Sequence, residues 1–275
     1  MNQFLRRNRY FFFLIAIIFC LSISCKNNDD PLPAIEKPVC QLISVVTGLN
    51  ERHYEYNDDE QLIKSIESYN NYAKFEYKND RVARVTYYRD DDESKVYEID
   101  RIEYNSKGQW IKHTYELDNI VLIAEYNAAG NRTMITQKMN GKLTEIYVFE
   151  YLDGNMMKQT IDHYDIHESL SYSSFYTYAY DLNTANKLTY FESLVRFGYN
   201  EVRLGRESTP SKNMLKTVNT LSWDGSEVSV SANFEYEYND KGFPTKLTIS
   251  GGDLNGDGNL NENDILVYPY EYNCL

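Results

Sequence analysis

Helical periodicity, basic charge, histidine and spare cysteine are all scarce in this chain, and each scarcity removes a reading. No long segment spaces its apolar residues at helical intervals, which leaves an all-β chain. Lysine and arginine number 28 against 41 aspartates and glutamates, a formal charge of −13. Arg6, Arg7 and Arg9 lie in the first 25 residues with no acid among them, so the remainder carries −16. Such a surface repels phosphate backbones, and nucleic acid is excluded as a partner. With four histidines, no Ser/His/Asp or Cys/His constellation stands out, and carboxylates on alternate strand positions are too numerous to single out an acid/base pair. The chain therefore reads as non-enzymatic. One long apolar run exists, Tyr10 to Ile23, and its roughly 14 residues fall short of the ~20 of a membrane-spanning helix. Behind three arginines it is a signal peptide, residues 1–24.

What the chain has in abundance is tyrosine, 26 in all, arranged in a repeating phrase. The clearest copy is FEYEYNDKGFPTKLTIS, Phe234 to Ser250. Phe234, Tyr236 and Tyr238 alternate with Glu235 and Glu237, so a strand puts three rings on one face and two carboxylates on the other. Asn239 to Gly242 supplies turn chemistry, and Phe243 to Ser250 resumes as a second strand. Related phrases place an anchor tyrosine at Tyr56, Tyr77, Tyr104, Tyr126, Tyr151, Tyr180 and Tyr238, with steps of 21, 27, 22, 25, 29 and 58 residues. The last step is twice the one before it, which predicts a degenerate unit hidden between Asp181 and Asn233. Tyr270 to Asn273 is a truncated final copy.

These phrases resemble the YD-repeat (Rhs-type) family, with its Tyr-x-Tyr-Asp/Asn-x-x-Gly core, and more closely the uncharacterised Bacteroidetes lipoproteins built from such units. The resemblance runs from Cys40 to Cys274. Lys78 and Leu152 depart from it at the Asn/Asp position, and Glu60, Arg81 and Ala185 at the glycine. Eight units of two strands predict about 14–16 antiparallel strands, more than an open twisted sheet holds without curling. The expected fold is one all-β domain, residues 39–275, a long antiparallel meander of hairpins forming a strongly curled or barrel-like sheet. An outer-membrane barrel would need an outward apolar band, whereas the polar face here carries Glu and Lys throughout.

Ser22 and Ser24 precede Cys25 in the manner of a bacterial lipoprotein signal, which implies lipidation at Cys25 and attachment to the outer membrane; simple secretion is the alternative. Lys26 to Pro38 is polar, acidic and proline-bearing, so residues 25–38 read as lipidated cysteine and disordered tether. In the lipoproteins that it resembles, a charged stretch after the cysteine can direct display at the cell surface, which Lys26 and Asp29-Asp30 match in part; the periplasmic side is the alternative. Cys20 leaves with the signal peptide, so Cys40 and Cys274 remain, in a compartment that permits oxidation. They form either a disulfide joining the ends of the sheet, contributing roughly 4–5 kcal/mol by chain entropy, or two unpaired buried thiols.

Two stretches interrupt the meander. Residues 186–214 space Leu188, Phe191, Leu194 and Val195 like a helix, and predict a short helix or loop packed into the mouth of the sheet. Residues 253–264, DLNGDGNLNEND, set the oxygen ligands Asp253, Asn255, Asp257, Asn261 and Asp264 at loop positions 1, 3, 5, 9 and 12, with Asn259 offering its carbonyl at 7 and Gly258 making the turn. All are hard donors suited to Ca²⁺. The loop resembles the dockerin version of the EF-hand without its flanking helices; the alternative is an Asx-rich turn that satisfies its own backbone. Subtracting it from the 34 residues between Tyr238 and Tyr272 leaves 22, a normal repeat step, so it sits at a hairpin turn. Asp224-Gly225 suits another tight turn, followed by a strand of about 12 residues through Tyr238.

His163 and His167 have metal-compatible spacing but read as a solvated strand, and Arg89 to Glu93 as an exposed hairpin tip. The chain is thus expected to be a lipid-anchored, calcium-stabilised structural or binding module of the cell envelope. Its tyrosines suit stacking on glycan, and glycan or protein is the expected ligand. A glycan-active hydrolase using paired carboxylates in the sheet groove is the second reading.

Overall fold

The computed structural model describes residues 40–47, 50–67, 71–90, 92–186, 211–221, 228–251 and 265–274. The described residues form sixteen strands: β1 (Cys40–Thr47), β2 (Asn50–Tyr56), β3 (Leu62–Glu67), β4 (Tyr72–Lys78), β5 (Arg81–Arg89), β6 (Asp92–Tyr104), β7 (Trp110–Tyr115) and β8 (Ile120–Tyr126) make the first half. The second half is β9 (Arg132–Met139), β10 (Lys142–Leu152), β11 (Asn155–Tyr164), β12 (Leu170–Ala185), β13 (Asn213–Leu221), β14 (Val228–Tyr238), β15 (Pro244–Ser250) and β16 (Ile265–Cys274). Each strand pairs antiparallel with its sequence neighbours, and β16 pairs with β1 to close a barrel. The expected all-β meander is present, and its sheet is closed.

The repeat explains the closure. In all eight units the register slips by one residue immediately beside the anchor tyrosine: at Tyr56, Tyr77, Tyr104, Tyr126, Tyr151, Tyr180, Tyr238, and at the β1–β16 seam between Leu42 and Ser44, opposite Glu271 and Tyr272. A bulge bends its strand and adds right-handed twist. Eight bulges at one level curl the sheet in one direction until its edges meet, which removes both edges. The truncated copy at Tyr272 is completed by β1, so the final unit is a hairpin split by the chain termini. Where the other units have a turn, this one has a disulfide: Cys40 and Cys274 are directly opposed, Cα to Cα 4.0 Å.

Anchor hydroxyls tie unit to unit. Tyr56 donates to the Leu42 carbonyl (2.8 Å), Tyr77 to Leu62 (3.0 Å), Tyr104 to Val82 (3.0 Å), Tyr126 to Trp110 (2.8 Å) and Tyr180 to Met156 (2.7 Å). Leu62, Val82 and Trp110 each lie opposite the anchor tyrosine of the preceding unit, as Leu42 lies opposite Tyr272. The outer face repeats as regularly. The glutamate before the anchor meets a base across the bulge in Glu76–Arg84 (3.2 Å), Glu103–Lys112 (2.8 Å), Glu150–Lys158 (3.3 Å) and Glu237–Lys246 (2.6 Å). Exposed pairs of this kind stabilise little; these four lie solvent-exposed on the outer wall beside the bulges.

Inward side chains fill the barrel. Val45, Ile135 and Tyr147 are 0% exposed and Leu247 1%, and one apolar cluster runs through strands from β1 to β16. A water-filled channel would leave such side chains wet. The interior is a core.

Two sequence expectations change. β12 and β13 are hydrogen-bonded to each other, so no further unit lies between them in the barrel. The 58-residue step holds the usual two strands, lengthened by the β12–β13 connection. That connection is also shorter than 186–214, because Asn213 and Met214 already belong to β13. Its residues 187–210 lie outside the described residues, as do Cys25, the signal peptide and tether, the turn at 222–227, and loop residues 252–264. The last connect β15 to β16, at a hairpin turn.

Candidate functional site at the loop end of the barrel

The barrel has two unlike ends. Tyrosine anchors, the disulfide and the 187–210 connection lie at one end, where Cys40 begins the described chain. The 252–264 connection carrying Asp253, Asn255, Asp257, Asn259, Asn261 and Asp264 leaves from the other, together with the tips of β5–β6, β7–β8, β9–β10 and β11–β12. The chain before Cys40 therefore enters the barrel at the end opposite the one that residues 252–264 leave from.

Near the loop end the inward face turns polar. Asp100 on β6 sits in the barrel 2% exposed, with His113 Nε2 at 3.2 Å and the Tyr87 hydroxyl donating at 3.1 Å. His113 stacks on Tyr115 at 4.4 Å. Two residues earlier, Glu98 accepts from the backbone N–H of Leu117 (3.2 Å) and of Ile99 (2.6 Å), and burial, reinforced by the nearby Asp118 and Asp100 charges, pushes its carboxyl above the usual range. Each of these residues does local work: the Glu98 bond ties the β7–β8 turn down onto β6, where β6 runs on beyond β7.

A second group spans β10 to β12. Glu145 lies directly opposite His163, and its Oε1 is 3.1 Å from His163 Nδ1. The Tyr147 hydroxyl donates to the other oxygen of Glu145. His163 Nε2 is 3.2 Å from the Ser174 hydroxyl, and the Tyr172 ring stacks on the imidazole at 4.3 Å. This group is open to solvent on one side, with Tyr172 60% exposed at the rim.

Between the tips of β7–β8 and β9–β10 lies a shallow open depression of about 460 Å³, lined by Thr114, Tyr115, Glu116, Asn119, Val121, Asn140 and Gly141. Its amides and carboxylate are hydrogen-bonding groups of the kind that sugars use. No group of three or more His, Cys, Asp or Glu side chains is placed to hold a metal ion among the described residues. The calcium-type loop lies outside them.

The two histidines of the HYDIH segment do not share a solvated strand. His163 is inward and carboxylate-paired, whereas His167 lies in the Asp165–Ser169 turn, where its N–H and that of Ser169 bond to the Asp165 side chain. Most tyrosines of the repeat face point into the core rather than outward as a stacking surface. Both polar groups escaped the sequence reading, although parity contained the signal. Glu98, Asp100, Ile102 and Tyr104 alternate on one face, as do Glu145, Tyr147, Phe149 and Tyr151. Those acids fall on the tyrosine side of the repeat, not the glutamate side.

A filled, closed barrel with exposed ion pairs on its outer wall is the class of protein that these features define. No family model and no curated protein matches the chain. Among solved structures, a porin-like protein from Bacteroides uniformis aligns with a TM-score of 0.53 at 15% identity, over 85% of this chain and 96% of that one. A porin-like protein from Bacteroides vulgatus gives 0.50 at 15% identity, over 85% and 98%. The Tc holotoxin pore of Photorhabdus luminescens aligns over 73% of this chain and 9% of that one, at 12% identity and a TM-score of 0.36. The Bacteroides structures share the fold; the toxin likeness is too low to carry an argument.

Proposed function

We propose that this chain is a lipid-anchored outer-membrane protein displayed at the cell surface, whose barrel is a calcium-stabilised structural or binding module for glycan or protein and not a glycan-cleaving enzyme. What carries the reading is the combination of a filled interior with an ionic outer wall. A barrel whose described interior is packed with side chains is suited to holding loops in place. Its fold is shared with two porin-like proteins from Bacteroides. The tether at one end and the loop cluster at the other suit presentation away from a membrane. Against glycan cleavage stands the placement of Glu98 and Asp100, which lie inside the core rather than across a groove.

The test is calorimetric titration of the full-length chain with calcium, with thermal unfolding in calcium and in chelator, beside Asp257→Ala. One ion bound by the wild type, with a chelator-dependent loss of stability that the variant lacks, supports the reading. Affinity is expected at ~10⁻⁴–10⁻³ M, as for extracellular sites. Heat-independent and unfolding-independent indifference to calcium would remove the metal from the proposal. A glycan array probed with the calcium-loaded chain then tests the binding role.

A further inference from the structure

The Glu145–His163–Ser174 group has the connectivity of a nucleophilic site. We propose that Ser174 is an activated nucleophile and that the loop end of the barrel hydrolyses small carboxylic esters. The inference goes beyond the scaffold reading and does not depend on it, since calcium binding and glycan binding are measured separately.

The geometry sets the roles. Glu145 Oε1 lies 3.1 Å from Nδ1; in the proposed roles the carboxylate favours the proton on that nitrogen, which leaves Nε2 with its lone pair. That lone pair faces the Ser174 hydroxyl at 3.2 Å. A hydroxyl within reach of an imidazole that is itself oriented by a carboxylate is the recurring arrangement of acyl-transfer sites on unrelated folds. Glu145 is held in turn by Tyr147, which is fully buried and donates to its second oxygen. The three groups come from adjacent strands β10, β11 and β12, joined by the pairs Glu145–His163 and Ile161–Ser174. A sheet fixes such positions more tightly than loops do.

The site is reachable. The His163 side chain is 19% exposed and that of Glu145 12%, unlike the Asp100–His113 pair at 3% and 6%. Among the described residues, that other pair also has no hydroxyl on its remaining ring nitrogen, so no nucleophile completes it. Tyr172 shares the inward face of β12 with Ser174, stacks on His163 and is 60% exposed, an aromatic approach from the rim to the serine. This suits a small acyl group.

In the reaction, Ser174 Oγ bonds to the acyl carbon while its proton passes to His163 Nε2, and the carbonyl π pair moves to oxygen. The tetrahedral intermediate collapses, the C–O bond to the alcohol breaks, and the alcohol departs with the proton from His163. Water then repeats the sequence on the acyl-serine, giving the carboxylic acid and free Ser174. No co-reactant other than water is needed.

The experiment treats the full-length chain with a fluorophosphonate probe and locates the label by peptide mass spectrometry, then measures hydrolysis of 4-nitrophenyl acetate. Label on Ser174 is expected, lost in Ser174→Ala and in His163→Gln, with kcat/KM falling at least about a hundredfold in each. Glu145→Gln acts through His163, so it should lower kcat and displace the acid limb of the pH profile while the chain stays folded by circular dichroism. Labelling of the wild type needs no variant, so a fold defect cannot hide the result. No label on Ser174, or hydrolysis that survives Ser174→Ala, overturns the proposal.

Discussion

At the scale of the residue, the anchor tyrosine joins up to three functions in one side chain: its ring fills the core, its backbone sits at the bulge, and at Tyr56, Tyr77, Tyr104, Tyr126 and Tyr180 its hydroxyl satisfies a carbonyl of the neighbouring unit. Tyr77→Phe keeps the ring and removes the 3.0 Å bond to Leu62, so the expected cost is about 1 kcal/mol, with the carbonyl left unmet adding to it. Urea unfolding of the two proteins checks this. Burial also raises the Tyr77 and Tyr180 hydroxyls to about 12. Folding favours their protonated form, so their contribution is intact below the unfolded value near 10 and is lost as pH rises toward 12. Tyrosinate absorbance should lag in the folded protein and then rise with unfolding. Glu98 follows the same sign at lower pH: its raised carboxyl favours the protonated folded state, and that contribution disappears as pH climbs through its folded value. Glu98→Gln should therefore raise the melting temperature at pH 7 and change it little at pH 4, and a greater gain at pH 4 would refute the assignment.

At the scale of the element, strands and turns were legible because the pattern has period two and the turns have side-chain chemistry. The Asn57, Asn105, Asn127 and Asn239 turns each close with the asparagine carboxamide accepting from the backbone N–H four residues on. Departures from the family phrase are absorbed locally. Glu60 adopts φ +64° in the glycine place, and the Lys78 and Leu152 units use two-residue turns at Asn79–Asp80 and Asp153–Gly154, all with positive φ. Arg81 thus begins a strand and needs no glycine geometry. Gly251, at the exit of β15, is less replaceable: with φ +78°, an added Cβ would lie 2.7 Å from the Ser231 carbonyl oxygen. Gly251→Ala should destabilise by about 1–3 kcal/mol, read by chemical denaturation. The bulges were not legible, since a one-residue slip becomes visible only when two strands are set side by side.

At the scale of the whole molecule, the seam decides stability. β1 and β16 are separated by 234 residues at the disulfide, and nothing local brings them together. The double variant Cys40→Ser, Cys274→Ser should lose about 2–5 kcal/mol in chemical denaturation, mainly because the unfolded chain regains the freedom that the cross-link removes. A loss below about 0.5 kcal/mol would mean that the eighth bulge and its strand pairing close the barrel unaided. The acidic excess has its place here too. Four bases of the outer wall are engaged in pairs at the bulge level, and the excess of acids over bases gives the chain net negative charge.

Sequence by itself determined the strand class, the two-strand unit, the strand count within the expected range, and the hairpin position of the calcium-type loop. These follow from alternation and turn residues, which act over a few positions. Only the tertiary structure decided that the sheet closes, that its interior is filled, and that the 58-residue step hides no extra unit. It alone placed Glu145, His163 and Ser174 within hydrogen-bonding reach, because Glu145 and Ser174 come together only when β10, β11 and β12 lie in register. A constellation spread over 30 residues of chain has no local signature; cross-strand register creates it.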